Sequence, residues 1–126
     1  MGAVVCDSTR LLLVLRAHPP AEGTWSLPGG RREAGESDAQ ACAREVAEET
    51  GLTVDVGPVV GELEIAGPGV TYVVRDHLCT VTGGTLCAGS DAADVGWFTA
   101  EQMAALPTSP GLLDHLTAWR ALPPSE

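Results

Sequence analysis

Two short apolar runs, residues 3–6 and 11–15, open the chain on either side of the polar break Asp7-Ser8-Thr9-Arg10. Paired runs of that length and spacing predict a β-hairpin. The first run starts almost at Met1, so the first strand is expected to be short, as if its beginning were cut away. Residues 17–30 are broken by proline and glycine and predict a long loop. Ser37-x-x-Gln40 then forms a capping box, and Gly51 stands where a left-handed residue closes a helix, which predicts a helix over residues 38–50. β-Branched residues dominate 53–65, interrupted at Gly57-Pro58, where a bend or bulge is expected. Ala66-Gly67-Pro68-Gly69 reads as a turn into a second long strand over residues 70–81, Gly83-Gly84 as a further turn, and residues 95–98 as a last short strand. Thr99-x-x-Gln102 caps one closing helix; Ser109-Pro110 opens another with proline at its first position, and Pro123-Pro124 ends it. Strands interleaved with helices predict one α/β domain over residues 1–126, a mixed β-sheet packed between α-helices.

Composition narrows the function more than the fold. A content of 44% hydrophobic and 19% charged residues belongs to a globular chain. No apolar run approaches the roughly 20 residues that span a bilayer, and no basic-then-apolar leader opens the chain, so a cytoplasmic protein without a membrane partner is expected. The four cysteines, Cys6, Cys42, Cys79 and Cys87, form no C-x-x-C pair and are expected to be buried thiols. A net charge of −10 excludes non-specific nucleic-acid binding as the main task. Glu33, Glu36, Asp38, Glu45, Glu48 and Glu49 crowd into one stretch, and a divalent cation is the compact counter-charge for such a cluster.

On the expected helix, Glu45, Glu48 and Glu49 fall within an arc of about 100°, with Asp38 on the same face. Ala39, Cys42, Ala43, Val46 and Thr50 are expected on the opposite side, facing the core. Like charges this close disfavour the helix by about 0.2–0.5 kcal/mol per pair, so local electrostatics does not account for them. A solvated acidic face is the plain reading; clustered oxygen ligands for a hard cation is the functional one. The preceding Leu27-Pro28-Gly29-Gly30 turn favours the second, because glycine lets backbone approach a phosphate or a metal.

Gly30, Glu36 and the run Arg44-Glu45-Val46-Ala47-Glu48-Glu49-Thr50-Gly51-Leu52 together resemble the Nudix box, G-x5-E-x7-R-E-U-x-E-E-x-G-U with U aliphatic, and fill every fixed position. The approach through Trp25-Ser26-Leu27-Pro28 and the later Asp94-Val95-Gly96-Trp97-Phe98 resemble the flanks of that family. The resemblance implies the Nudix fold, an α/β/α sandwich, and an Mg²⁺-dependent hydrolase, with Mn²⁺ as a substitute, that cleaves a diphosphate linkage in a small nucleotide substrate. It implies Glu45, Glu48, Glu49 and the Gly30 carbonyl as metal ligands. It assigns Glu48, Glu49 and Arg44 to catalysis, with Arg44 orienting a box carboxylate. Gly29, Glu36 and Gly51 take positioning roles, Glu36 by accepting from exposed amides at the helix start. Asp91, in Gly89-Ser90-Asp91, is a candidate base or ligand, with Asp94 its competitor. Arg31 and Arg32 are candidate phosphate contacts or solvated charges, and Tyr72 is a candidate base-stacking residue, whereas Trp97 and Trp119 are expected in the core.

The box itself does not select a substrate. Pro68 lies 16 positions beyond Leu52, a spacing associated within the family with ADP-ribose hydrolysis, although a turn would also want proline there. An ADP-ribose-like substrate is therefore favoured. The alternatives are a nucleoside triphosphate diphosphatase of the 8-oxo-dGTP type, a non-catalytic Nudix-like binding module, and an isomerase on the same fold that would use Cys79. Homodimerisation is left open by the sequence.

Overall fold

In the computed structural model, which describes residues 1–19, 21–89 and 91–123, the apolar runs of the opening hairpin pass through the middle of the molecule. The elements in order are β1 (Gly2–Asp7), β2 (Arg10–Arg16), β3 (Trp25–Ser26), α1 (Asp38–Thr50), β4 (Leu52–Gly67), β5 (Val70–Gly84), β6 (Ala92–Phe98), α2 (Ala100–Ala104) and α3 (Leu112–Ala118). β1 and β2 form the expected hairpin, with Cys6 opposite Leu11. β1 also runs parallel to β5, Gly2 standing opposite Asp76 and Val5 opposite Cys79. β4 pairs antiparallel with β5, while β3 and β6 pair with β2, which completes a mixed six-stranded sheet.

Both faces of the central strands are covered, which is why their sequences read as continuous apolar runs. Side-chain alternation along β1 and β2 sorts the core into two layers. Ala3, Val5 and Leu12 pack with Cys42 and Val46 of α1. Val4, Leu11 and Leu13 pack with Met103 of α2 and with Leu112 and Leu116 of α3. Each fully buried leucine contributes about 1.5–3 kcal/mol, so both layers fix the sheet between its helices.

The capping boxes at Ser37 and Thr99 form with both of their hydrogen bonds. Gly57-Pro58 falls within a register shift of β4, between Val56 and Val59. Several expectations are corrected. The loop over residues 17–30 contains the two-residue β3, because Trp25 and Ser26 pair with Leu15 and Val14. Strand β4 runs to Gly67, so the hairpin turn is Pro68-Gly69 alone. Gly83 and Gly84 make no turn; they extend β5 opposite Thr53 and Leu52, where Gly84 packs against the Gly51 carbonyl too closely for a side chain. The last strand begins at Ala92, three residues earlier than expected. Ser109-Pro110 does not open α3, which starts at Leu112 behind a left-handed Gly111 that supplies no side-chain cap. The helix stops at Ala118, before Pro123, and Pro124 lies outside the described residues. Cys42 and Cys79 are buried, but Cys6 is half-buried and Cys87 exposed, the latter lying in the irregular segment after β5.

Candidate active site

Helix α1 presents its carboxylates at the edge of the core rather than opposite it. Cys42 and Glu49, seven residues apart, lie about 20° apart around the axis. The buried residues of α1 are Ala41, Cys42, Val46 and Thr50. Ala39 is exposed and Ala43 half-buried, so the expected core face is rotated toward the glutamates. Glu49 is therefore drawn partly inward, where its Oε2 accepts from the Gly29 amide at 2.9 Å. Burial, reinforced by the charges of Glu45 and Glu48, pushes the Glu49 carboxyl up to about 7, against the pull of the Gly29 amide and Arg16.

Gly30 and Glu45 meet in the same place. A Cβ on Gly30 would lie 2.6–2.8 Å from the carboxylate atoms of Glu45, closer than packing permits. Glycine here is what lets the loop lie against the carboxylate. The Gly30 carbonyl accepts from the amino group of Met1 at 2.7 Å, which leaves its second lone pair for another partner. At the far end of α1, Gly51 adopts φ 77°, and the amides of Cys87 and Gly89 donate to the Thr50 and Glu49 carbonyls. These bonds fold the segment before β6 across the helix end and bring Asp91 to the cavity that Glu49 lines.

Among the described residues, three cavities adjoin Gly30. One of about 430 Å³ is lined by Arg31, Arg32, Asp38, Tyr72 and Arg75. A second, about 260 Å³, is lined by Arg16, His18, Gly29, Glu49 and Asp91. The third, about 330 Å³, is lined by Arg16, Ser26, Gly29, Asp76, Ser109 and Leu112.

The family model described as NUDIX domain matches residues 1–119. The chain belongs to the Nudix family. It is 36% identical over 102 residues to a MutT-like protein of Streptomyces ambofaciens, an alignment covering 81% of this chain and 63% of that protein. It is 39% identical over 120 residues to a Mycobacterium tuberculosis protein named for 8-oxo-dGTP diphosphatase activity, covering 80% of this chain and 79% of the other. A crystal structure titled ADP-ribose pyrophosphatase, from Streptococcus suis, superposes with a TM-score of 0.74 at 29% identity, covering 94% of this chain and 85% of that one. The chain thus spans less than two thirds of the Streptomyces protein's length. The mixed sheet between helices is the Nudix fold.

Within the Nudix box, Arg44 is the organising residue. Its Nε and a terminal nitrogen bond both oxygens of Glu36 at 2.8 and 3.0 Å. The other terminal nitrogen reaches Glu45 Oε1 at 2.9 Å and Glu48 Oε2 at 3.2 Å. A further bond to the Arg31 carbonyl, 3.0 Å, ties the loop to the helix. The Glu36 bonds, then those of Glu45, hold the guanidinium pKa well above its ordinary value, and Arg44 in turn lowers that of Glu36. Arg44, expected to orient a box carboxylate, thus bonds two of them, Glu45 and Glu48. Glu36 accepts from the loop amide of Glu33 rather than from the first amides of the helix, where the Ser37 hydroxyl takes the Gln40 amide, and its bonds to Arg44 join the loop to α1.

The donors fit a hard divalent cation by chemistry, since Glu45, Glu48, Glu49 and the Gly30 carbonyl offer oxygen only. Among the described residues, no group of three carboxylate, thiol or imidazole side chains converges closely enough to hold an ion. The cause is visible: Arg44 holds Glu45 Oε1 and Glu48 Oε2, and Gly29 holds Glu49 Oε2. The described bonds leave Glu45 Oε2, Glu48 Oε1 and Glu49 Oε1 without a hydrogen-bond partner among the described residues.

The remaining sequence-predicted residues divide clearly. Asp91 shares a cavity with Glu49, whereas Asp94 accepts from the neighbouring Val95 amide on β6. Ser90 lies outside the described residues. Arg31 lies over the Tyr72 ring, 5.8 Å from its centre, and Arg32 pairs with Asp38 at 3.4 Å. Trp97 and Trp119 pack against the two core layers as expected. Sequence reasoning missed Arg16, Arg75 and Asp76. Arg75-Asp76 carried a usable signal, a charged pair interrupting an otherwise β-branched and apolar run. No helix among the described residues is long and apolar enough to cross a membrane.

Proposed function

We propose that the protein is a Mg²⁺-dependent pyrophosphohydrolase that cleaves the diphosphate linkage of a nucleoside diphosphate joined to a second group, with an ADP-ribose-like molecule as substrate. The observation that carries this reading is the meeting of Glu45, Glu49 and the glycine turn where three cavities adjoin Gly30. Glu45, Glu48, Glu49 and the Gly30 carbonyl would hold Mg²⁺, or Mn²⁺ in its place. A bound divalent cation supplies charge neutralisation for the phosphates and acidity for the attacking water.

The chain's own groups do the rest. Arg44 keeps Glu45 and Glu48 side by side despite their repulsion. Glu49 and Asp91, which line one cavity, are the candidates to receive the proton of the attacking water. Cavities on either side of the glycine turn, one bearing Tyr72 and Arg31 and the other Ser26 and Ser109, suit a substrate with bulky groups at both ends of its diphosphate. The Pro68 spacing adds little, because Pro68-Gly69 is a hairpin turn with Gly69 at φ 71°, which accounts for the proline.

The second reading, a nucleoside triphosphate diphosphatase, is favoured by the Mycobacterium tuberculosis relative. Incubation with Mg²⁺ and a panel of ADP-ribose, NADH, dinucleoside polyphosphates, dGTP and 8-oxo-dGTP separates the two. AMP with ribose 5-phosphate is the expected product; a nucleoside monophosphate with pyrophosphate would select the second reading. Absence of hydrolysis across the panel would defeat both and leave a binding module.

A further inference from the structure

On the sheet face that packs against α3, a carboxylate occupies a place otherwise given to apolar side chains. Asp76 is 5% exposed. The buried residues of that layer are Val4, Leu11, Leu13, Met103, Leu112 and Leu116, all apolar. Gly2 stands opposite Asp76 in the parallel ladder, and a Cβ on Gly2 would strike Asp76 Oδ1, so the missing side chain makes room for the carboxylate. No hydrogen bond or ion pair among the described residues engages the Asp76 carboxylate; the amino terminus, His115 and His77 act on it only through their charge. Only His77 Nε2 is both unpartnered and fully sealed among the buried side-chain polar atoms described, so the Asp76 oxygens open onto the cavity they line. That cavity begins at Gly29 and Gly30 and continues past Ser26 to Ser109 and Leu112.

An unpartnered carboxylate in such a place is costly to folding, and a leucine or valine would suit the layer better. Burial also pushes its pKa up. The geometry points to Asp76 as the residue that reads the part of the substrate beyond the diphosphate, by accepting hydrogen bonds from two adjacent donors. A carboxylate only accepts, and its two oxygens match a paired donor. The vicinal hydroxyls of a sugar and the N–H edge of a guanine-type base both present that pair. This inference rests on the proposed hydrolase reading.

Steady-state kinetics of wild type, Asp76→Asn and Asp76→Leu with Mg²⁺ and either ADP-ribose or dGTP test it, with thermal melts of the same proteins in EDTA. Loss of the acceptor pair is expected to raise KM by about 10–100-fold while kcat stays within about threefold. A rise with ADP-ribose identifies the sugar hydroxyls, and a rise with dGTP identifies the base edge. Tm is expected to rise by about 3 °C or more in both variants, because the buried charge is gone. An unchanged KM on a substrate that the wild type hydrolyses overturns the inference and spares the hydrolase reading. A lower Tm in both variants overturns it too, since Asp76 would then be holding the fold. Where the wild type prefers another member of the panel, the same KM comparison is made with that substrate; hydrolysis of no panel member overturns the hydrolase reading and this inference together.

Discussion

Glu49→Gln should make the metal-free protein more stable at pH 8 and leave it nearly unchanged at pH 5. The Glu49 carboxyl titrates at about 7 in the folded protein, against 4.5 ordinarily. The folded state therefore holds this proton more tightly than the unfolded chain does. Protonation stabilises the fold, a contribution fully present below pH 4.5 and lost as pH rises through 7. The gap corresponds to about 3 kcal/mol at most, and about 2–3 kcal/mol of it falls between pH 5 and pH 8. Glutamine mimics the protonated acid and keeps an oxygen for the Gly29 amide, so the variant should lack this slope. Asp76, also raised by burial, slopes the same way in both proteins and cancels from the difference. Urea unfolding in EDTA from pH 5 to pH 8 reads the effect directly. Adding Mg²⁺ at pH 8 should then restore wild type and do much less for the variant, because the cation binds the ionised acid. A difference between the two proteins that stays constant within about 0.5 kcal/mol across that range would refute the reasoning.

Gly30→Ala forces the Glu45 carboxylate aside; hydrolysis of the preferred panel substrate should fall at least about 100-fold, with far-ultraviolet circular dichroism unchanged. Arg44→Lys loses the forked pairing with Glu36, and Mg²⁺ affinity measured by calorimetry should weaken by about tenfold or more. Ser37→Ala removes the α1 cap and should cost about 1 kcal/mol in urea unfolding while hydrolysis stays within about twofold.

The parts of this molecule that were legible in the sequence are those fixed by short-range chemistry. The capping box at Ser37 and the left-handed Gly51 set both ends of α1 without help from the rest of the fold, and the expected limits of the helix match. The opening hairpin was legible for the same reason. Tertiary contacts hid the rest. Gly83-Gly84 carries a turn signature, yet the pair continues β5 because its backbone must lie against Gly51. Ser109-Pro110 looks like a helix start, but Ser109 is engaged with β3 instead, its amide donating to the Trp25 carbonyl. At the site, the spacing of Glu45, Glu48 and Glu49 put them on one helix face, while the number of bonds converging on Arg44 depends on how the loop returns from Gly30 to Glu36. Arg75-Asp76 stood out as a charged pair in a strand, but what Asp76 faces depends on Gly2, far away in sequence and adjacent across the sheet.

That arrangement also resolves a tension in the composition. A chain with net charge −10 would repel a polyphosphate if its charge were spread evenly. It is not spread evenly: Arg16, Arg31, Arg32 and Arg75 line the cavities that adjoin Gly30, and Arg44 stands among the box carboxylates. Only Arg10 and Arg120 of the seven basic residues lie elsewhere. Charges more than about 10 Å away are largely screened at moderate salt, so an approaching substrate senses these arginines more than the distant acids. Several are already engaged, Arg32 and Arg75 with Asp38 and Arg44 with Glu36, which limits how much of their charge reaches a ligand. On the proposed reading the acids of the box would supply oxygen ligands, and the arginines around it would offset the repulsion those ligands create. The two sets have to occupy one place, and the glycine turn against α1 is the feature that brings them there.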